Sequence, residues 1–105
     1  MANDRLDALN AMLAQDPKNT LVRYGLAMEF LKSGELETAV AEFRKLIQMK
    51  PEYAAAYYHG GQTLEKLDRL DDAREMYRDG IEMTSRTGDA HTRSELEAAL
   101  SILGD

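Results

Sequence analysis

Residues 16–51 read DPKNTLVRYGLAMEFLKSGELETAVAEFRKLIQMKP, and their pattern returns 34 positions further along the chain. Pro17 falls on Pro51, Tyr24 on Tyr58, Phe30 on Leu64 and Leu36 on Leu70. Ala39 likewise falls on Ala73, Phe43 on Tyr77, Ile47 on Ile81 and Met49 on Met83. Compositional bias does not align proline, alanine and aromatic residues at one offset. A period of this size is that of stacked helix–turn–helix units, each burying its apolar face against the next.

Within the quoted stretch the apolar residues follow the helical period and nowhere alternate as a strand would. The spacing predicts a helix over 20–33, with Asn19 or Thr20 as N-cap and Gly34 as its stop. This helix has two apolar faces. Leu26, Ala27 and Phe30 lie on one side; Leu21, Tyr24, Met28 and Leu31 lie nearly opposite, leaving a narrow polar strip at Glu29, Lys32 and Ser33. A helix with one neighbour needs only one such face, so the second meets further helices, a ligand, or both. A returning helix over 36–49 turns Leu36, Ala39, Val40, Phe43, Leu46 and Ile47 inward, and the short connection makes the two helices antiparallel neighbours.

Outward from this hairpin the same reading continues. Residues 4–15 place Leu6, Leu9, Met12 and Leu13 on one face, and a 34-residue shift sets Leu9 on Phe43 and Leu13 on Ile47. They form the second helix of a half-repeat, ended by Pro17, which disfavours helix at the residue before it. Helices over 53–67 and 70–84 repeat the hairpin. Gly60 and Gly61 stand mid-helix at a cost of about 1 kcal/mol each against alanine, which is understandable where another helix crosses closely; Gly80 is read the same way. On this reading leucine at Gly61 overpacks the crossing, whereas alanine is near neutral. Residues 84–88 read as a linker. A last helix over 89–103 carries Leu96, Ala99, Leu100 and Leu103 on one face and a polar opposite face, as expected of a terminal cap. The expected fold is therefore all-α, a single domain over 1–105 of about six helices: a half-repeat at 4–16, repeats at 20–53 and 54–87, and a capping helix at 88–105.

Bulk properties exclude several functions. The chain has 105 residues, no cysteine and a net charge of −6, so disulfides and thiolate metal sites are impossible and a reducing compartment suits it. The N-terminal segment brings Asp4, Arg5 and Asp7 before any apolar run, and nothing approaches the length of a membrane span; a cytoplasmic location is expected. Residues 18–51 hold six basic and four acidic side chains, and residues 52–85 hold four and eight. Nucleic-acid binding needs clustered Lys and Arg, and the acidic second unit would repel phosphate.

With these residues in view, the sequence resembles the tetratricopeptide repeat family. Residues 20–53 present Arg23, Leu26-Ala27, Phe30, Ala39, Phe43, Leu46 and Pro51 at the family's spacings; residues 54–87 present Tyr57, Gly60-Gly61, Leu64, Ala73, Tyr77 and Gly80. The departures are Arg23 for the usual Trp, Leu46 for Ala, and Ser85 for the terminal Pro. The resemblance spans residues 4–85. It implies a right-handed solenoid of antiparallel helix hairpins whose first helices line a concave groove that holds peptides or partner proteins. The groove positions it implies are Leu21, Tyr24, Met28, Leu31 and Lys32, then Ala55, Tyr58, His59, Gln62, Glu65 and Lys66. Some members grip a terminal carboxylate with Lys and Asn where this chain has Tyr24, Met28 and His59, so that clamp is absent.

What the groove offers instead is tyrosine, methionine and leucine, side chains suited to adaptable partner surfaces. Two readings of Tyr24 and Tyr58 stand side by side: exposed recognition, or packing against each other and the terminal helices. No nucleophile, acid–base pair or phosphate-cradling loop has a motif context, since Gly60-Gly61 lies inside a helix. His91 and Glu95 share a face but lack a third and fourth ligand, so a surface pair is expected and neither metal nor cofactor. The function expected is a noncatalytic protein-interaction module holding a partner's peptide or helix through Leu21, Tyr24, Met28, Leu31, Tyr58, His59, Gln62 and Lys66, with no nucleic acid or membrane partner. The alternative is self-association into homodimers through the groove or the stack ends.

Overall fold

The computed structural model describes residues 3–104. Among them six helices follow one another without a strand: α1 (Asp4–Gln15), α2 (Thr20–Lys32), α3 (Leu36–Met49), α4 (Ala54–Lys66), α5 (Leu70–Thr87) and α6 (Ala90–Leu103). Three of the starts, those of α1, α2 and α6, are set by side chains that satisfy otherwise unpaired amides. Asn3 accepts from the Leu6 amide, Asn19 from that of Val22 and Asp89 from that of Thr92, each at 3.1 Å. The stack measures 40 × 29 × 19 Å.

Each helix packs on the next in sequence, and α4 also packs on α6. The core accordingly divides into three layers. Leu9, Leu13 and Leu26 close the α1–α2 layer; Ala27, Ala39, Phe43, Leu46 and Ala56 fill the space among α2, α3 and α4. Leu64, Ala73, Tyr77, Leu96 and Leu100 belong to the largest layer, which binds α6 to the second hairpin. Burial in nearest-neighbour layers is the energetic signature of a repeat stack.

The helix crossings are made by missing side chains. Tyr77 is wholly buried, and its ring lies so close to Gly61 that an added Cβ would stand 2.6 Å from Cδ1 and 2.7 Å from Cζ. A Cβ on Gly80 would meet Tyr57 Cβ at 2.7 Å and Leu96 Cδ1 at 2.9 Å. Both crossings were expected of these glycines; tolerance of alanine at Gly61 was also expected, and the Tyr77 ring contradicts it.

Three further details differ from the sequence reading. Residues 84–88 are not a linker, because α5 continues to Thr87 before Gly88 ends it at φ 79°. Buried Thr84 stays helical by donating its hydroxyl to the Gly80 carbonyl at 2.8 Å. α6, read over 89–103, starts at Ala90 as that reading has it, two residues past a strict 34-residue period. Leu96, Ala99 and Leu100 thereby take the buried places that Gly60, Thr63 and Leu64 hold in α4. Glu29, read as part of a polar strip, is buried beneath the N-terminal segment, where Asn3 Nδ2 donates to it at 3.2 Å and Arg5 Nε lies 3.2 Å away. Met12 is 53% exposed, because α1 has only α2 to pack on and the flank carrying Met12 lies outside that narrow contact.

Candidate functional site

The second face of α2 remains uncovered at its start, where Leu21 is 70% exposed. Further along the same face Tyr24, Met28 and Leu31 are half-buried and pack on the Phe43 layer. On α4, Tyr58, His59 and Gln62 are half-buried and Lys66 is exposed. Sequence reasoning left open whether the tyrosines face outward or pack inward, and each does part of both. Tyr58 leans on the large core layer while its ring meets His59 edge-on, 5.3 Å between centroids.

These rings are continuous. The Tyr24 centroid lies 5.4 Å from Tyr53, 6.0 Å from His59 and 6.4 Å from Phe43. His59 in turn stacks on Phe43 at 6.3 Å and 20°. The result is a row from Tyr53 through Tyr24 and His59 to Tyr58, with Phe43 anchoring it to the core. Tyr53 was not foreseen. It is the first residue of the helix read over 53–67 and stands just before α4, and its 34-residue counterpart, Asn19, is not aromatic. Lys50 Nζ lies 5.7 Å from the Tyr53 centroid, within cation–π reach.

Burial is the main electrical influence on this row. It raises the Tyr24 phenol above its ordinary value, with Tyr53 adding to the effect, and raises Tyr53 as well. It lowers His59, against the opposing pull of the Glu95 carboxylate on α6. Gln62 has a structural duty, because its Nε2 donates to the Tyr77 hydroxyl at 3.0 Å, and that hydroxyl donates to Glu65. Burial and the Glu65 contact hold the Tyr77 phenol far above the usual range. Tyr77 stays wholly buried, and from beneath its hydroxyl pins Gln62 and Glu65 in place.

Arg23, where the family usually has Trp, bridges α2 to α3 through Glu42 Oε2 at 2.9 Å; its buried Nε has no hydrogen-bond acceptor. His91 and Glu95 form a surface pair, Nε2 to Oε1 at 3.6 Å, and among the described residues no three His, Asp or Glu side chains gather as a metal site would need. A separate cleft of about 250 Å³ opens on the other side of the stack between α3 and α5, lined by Arg44, Ile47, Tyr57, Asp72, Glu75 and Asp79 among others. None of the expected groove residues lines it.

This geometry, helix hairpins stacked each on the next, is that of a helical repeat module. The TPR repeat profile matches residues 27–68 and the tetratricopeptide repeat profile matches residues 54–87. The chain belongs to the tetratricopeptide repeat family, whose repeats mediate protein–protein interactions and are typically noncatalytic. A tetratricopeptide repeat domain protein from Salinibacter ruber, solved in solution, is 40% identical with a TM-score of 0.79, covering 84% of this chain and 89% of that one. The solution structure of a Bordetella parapertussis protein superposes with a TM-score of 0.83 at 27% identity, over 98% of this chain and 89% of that one. A TPR repeat-containing protein of Pseudomonas aeruginosa is 26% identical over 98 residues, which is 93% of each chain. Among the described residues no helix is long and apolar enough to cross a membrane.

Proposed function

We propose that the chain is a noncatalytic scaffold that seats a peptide or helix of a partner protein across the first helices of its hairpins. Leu21, Tyr24, Met28, Leu31, Tyr58, His59, Gln62 and Lys66 are its contact residues, and Tyr53 joins them. The observation that carries the reading is the second apolar face of α2. A face that served packing alone would be covered along its length, yet Leu21 is 70% exposed beside a row of half-buried rings. Tyrosines held by neighbouring rings lose little side-chain entropy on binding, which is why such residues are often the energetic centre of an interface. Few charges stand in the row, so the partner presents an apolar or aromatic segment in place of a carboxylate tail. The absence of cysteine suits work in the cytoplasm.

The test is affinity capture from the host's lysate with wild type, Leu21→Asp and Tyr58→Ala. Loss of a groove aromatic that acts as a hot spot weakens binding by about 2 kcal/mol, roughly 30-fold. Leu21→Asp is expected to abolish capture without moving the melting temperature, since the side chain is mostly in solvent. Capture that ignores both substitutions would remove the groove from the account. A second reading, self-association through the stack ends, draws on Ile102 and Met12, which expose 85% and 53% of their surface on the last and first helices. Light scattering across a dilution series distinguishes them: a constant monomer mass supports partner binding, and a mass that doubles with concentration supports the dimer.

A further inference from the structure

The floor of the proposed groove contains one imidazole, His59. His59 joins the inner Phe43 layer to the outer row of tyrosines through the three ring contacts at 5.3, 6.0 and 6.3 Å. As a neutral imidazole it packs as a flat aromatic. As an imidazolium it needs water or a counter-charge, which an apolar layer does not supply. The groups facing it are the Tyr24 phenol from α2, Phe43 from α3, Tyr58 from its own helix and the Glu95 carboxylate from α6. Glu95 also pairs with His91 at the surface, and the Lys50 amine stands further off over Tyr53.

We infer that His59 is a proton switch for the concave face. Neutral, its ring completes the floor between Tyr24 and Tyr58; protonated, it moves out toward Glu95 and water, and a partner seated over the row is released. This rests on the groove reading above. The direction follows from burial, which lowers the affinity of His59 for a proton in the folded chain and outweighs Glu95. The unfolded chain, with a histidine near its ordinary value of about 6.5, therefore binds the proton more readily. Stability from the neutral ring is complete above that value and is lost as pH falls through the lower folded-state midpoint. A partner that covers the ring deepens its burial, so binding weakens over the same window by linkage.

The test needs no partner. Of the two histidines, His91 lies on the surface, and His91→Gln leaves His59 as the single imidazole to follow by NMR from about pH 8 to about pH 5. The expected result is a His59 midpoint below about 6.5, with the ring resonances of Tyr24, Tyr53 and Tyr58 shifting at that same midpoint. In His59→Phe, which keeps an aromatic in the layer, the tyrosine rings are expected to hold still across the range; if that variant fails to fold, the His91→Gln titration decides alone. A midpoint at or above the ordinary value, or tyrosine rings that ignore it, overturns the switch and leaves the groove standing. Failure of the groove reading looks different: the rings follow His59 while capture ignores Leu21 and Tyr58.

Discussion

Gly61→Ala is the sharpest test of how the second hairpin is held, because helix propensity and packing pull in opposite directions. Alanine in a helix interior gains about 1 kcal/mol over glycine. Against this, its Cβ would stand 2.6 Å from Tyr77 Cδ1 and 2.7 Å from Cζ, well inside any tolerable contact. The ring cannot swing aside freely, since it is wholly buried and its hydroxyl is held by Gln62 and Glu65. Overpacking of this kind costs about 3 kcal/mol at the upper end, so the net loss is about 2 kcal/mol. For a domain of this size that lowers the melting temperature by roughly 8–16 °C, read by circular dichroism at the helical band. Tyr77→Leu supplies the internal control. With the ring gone, the same Gly61→Ala change should become neutral or stabilise by up to about 1 kcal/mol. A Gly61→Ala protein that melts at or above wild type would refute the crossing.

Two more substitutions probe the remaining joints. Asp68 occupies the place in the second hairpin that Gly34 holds in the first, at φ 60°, so Asp68→Gly should stabilise the chain by about 0.5 kcal/mol in a urea titration, the relief of αL strain exceeding the added entropy of the unfolded chain. Glu42→Ala strands the Arg23 guanidinium, whose side chain is 11% exposed; it should cost about 3 kcal/mol, while Arg23→Met with Glu42→Leu should be near neutral.

Much of this architecture is readable from residue spacing because the packing itself is periodic. Ala39 and Ala73, and Phe43 and Tyr77, recur at one offset because each pair sits in equivalent layers, Pro17 and Pro51 recur in the exposed turns before α2 and α4, and the predicted helix at 20–33 ends within a residue of Thr20–Lys32. What escaped depends on contacts between residues far apart in the chain or on local bonding that runs against residue type. Thr84 and Ser85 look like helix breakers, but their hydroxyls donate back to the Gly80 and Ile81 carbonyls and α5 runs on. Glu29 looks solvent-facing until Asn3 and Arg5 arrive from the other helix. The alanine tolerance expected at Gly61 ignored where the Tyr77 ring would lie, which no helical period encodes. At the candidate site the period picked out Tyr24 and Tyr58, but it passed over Tyr53, whose counterpart Asn19 is not aromatic, and it had no means of showing that Gln62 is tied to Tyr77.

The central claim, that partners dock on the concave face, is tested most directly by mapping where a ligand touches. A peptide selected from a random library on the immobilised chain, titrated into isotope-labelled protein, reports contact through amide shifts. The account predicts that the shifts concentrate at Leu21, Tyr24, Met28, Leu31, Tyr58, His59, Gln62 and Lys66, with Tyr53 among the largest. Shifts gathered instead at Arg44, Ile47, Asp72 and Glu75, around the cleft between α3 and α5, with the tyrosine row unmoved, would contradict it.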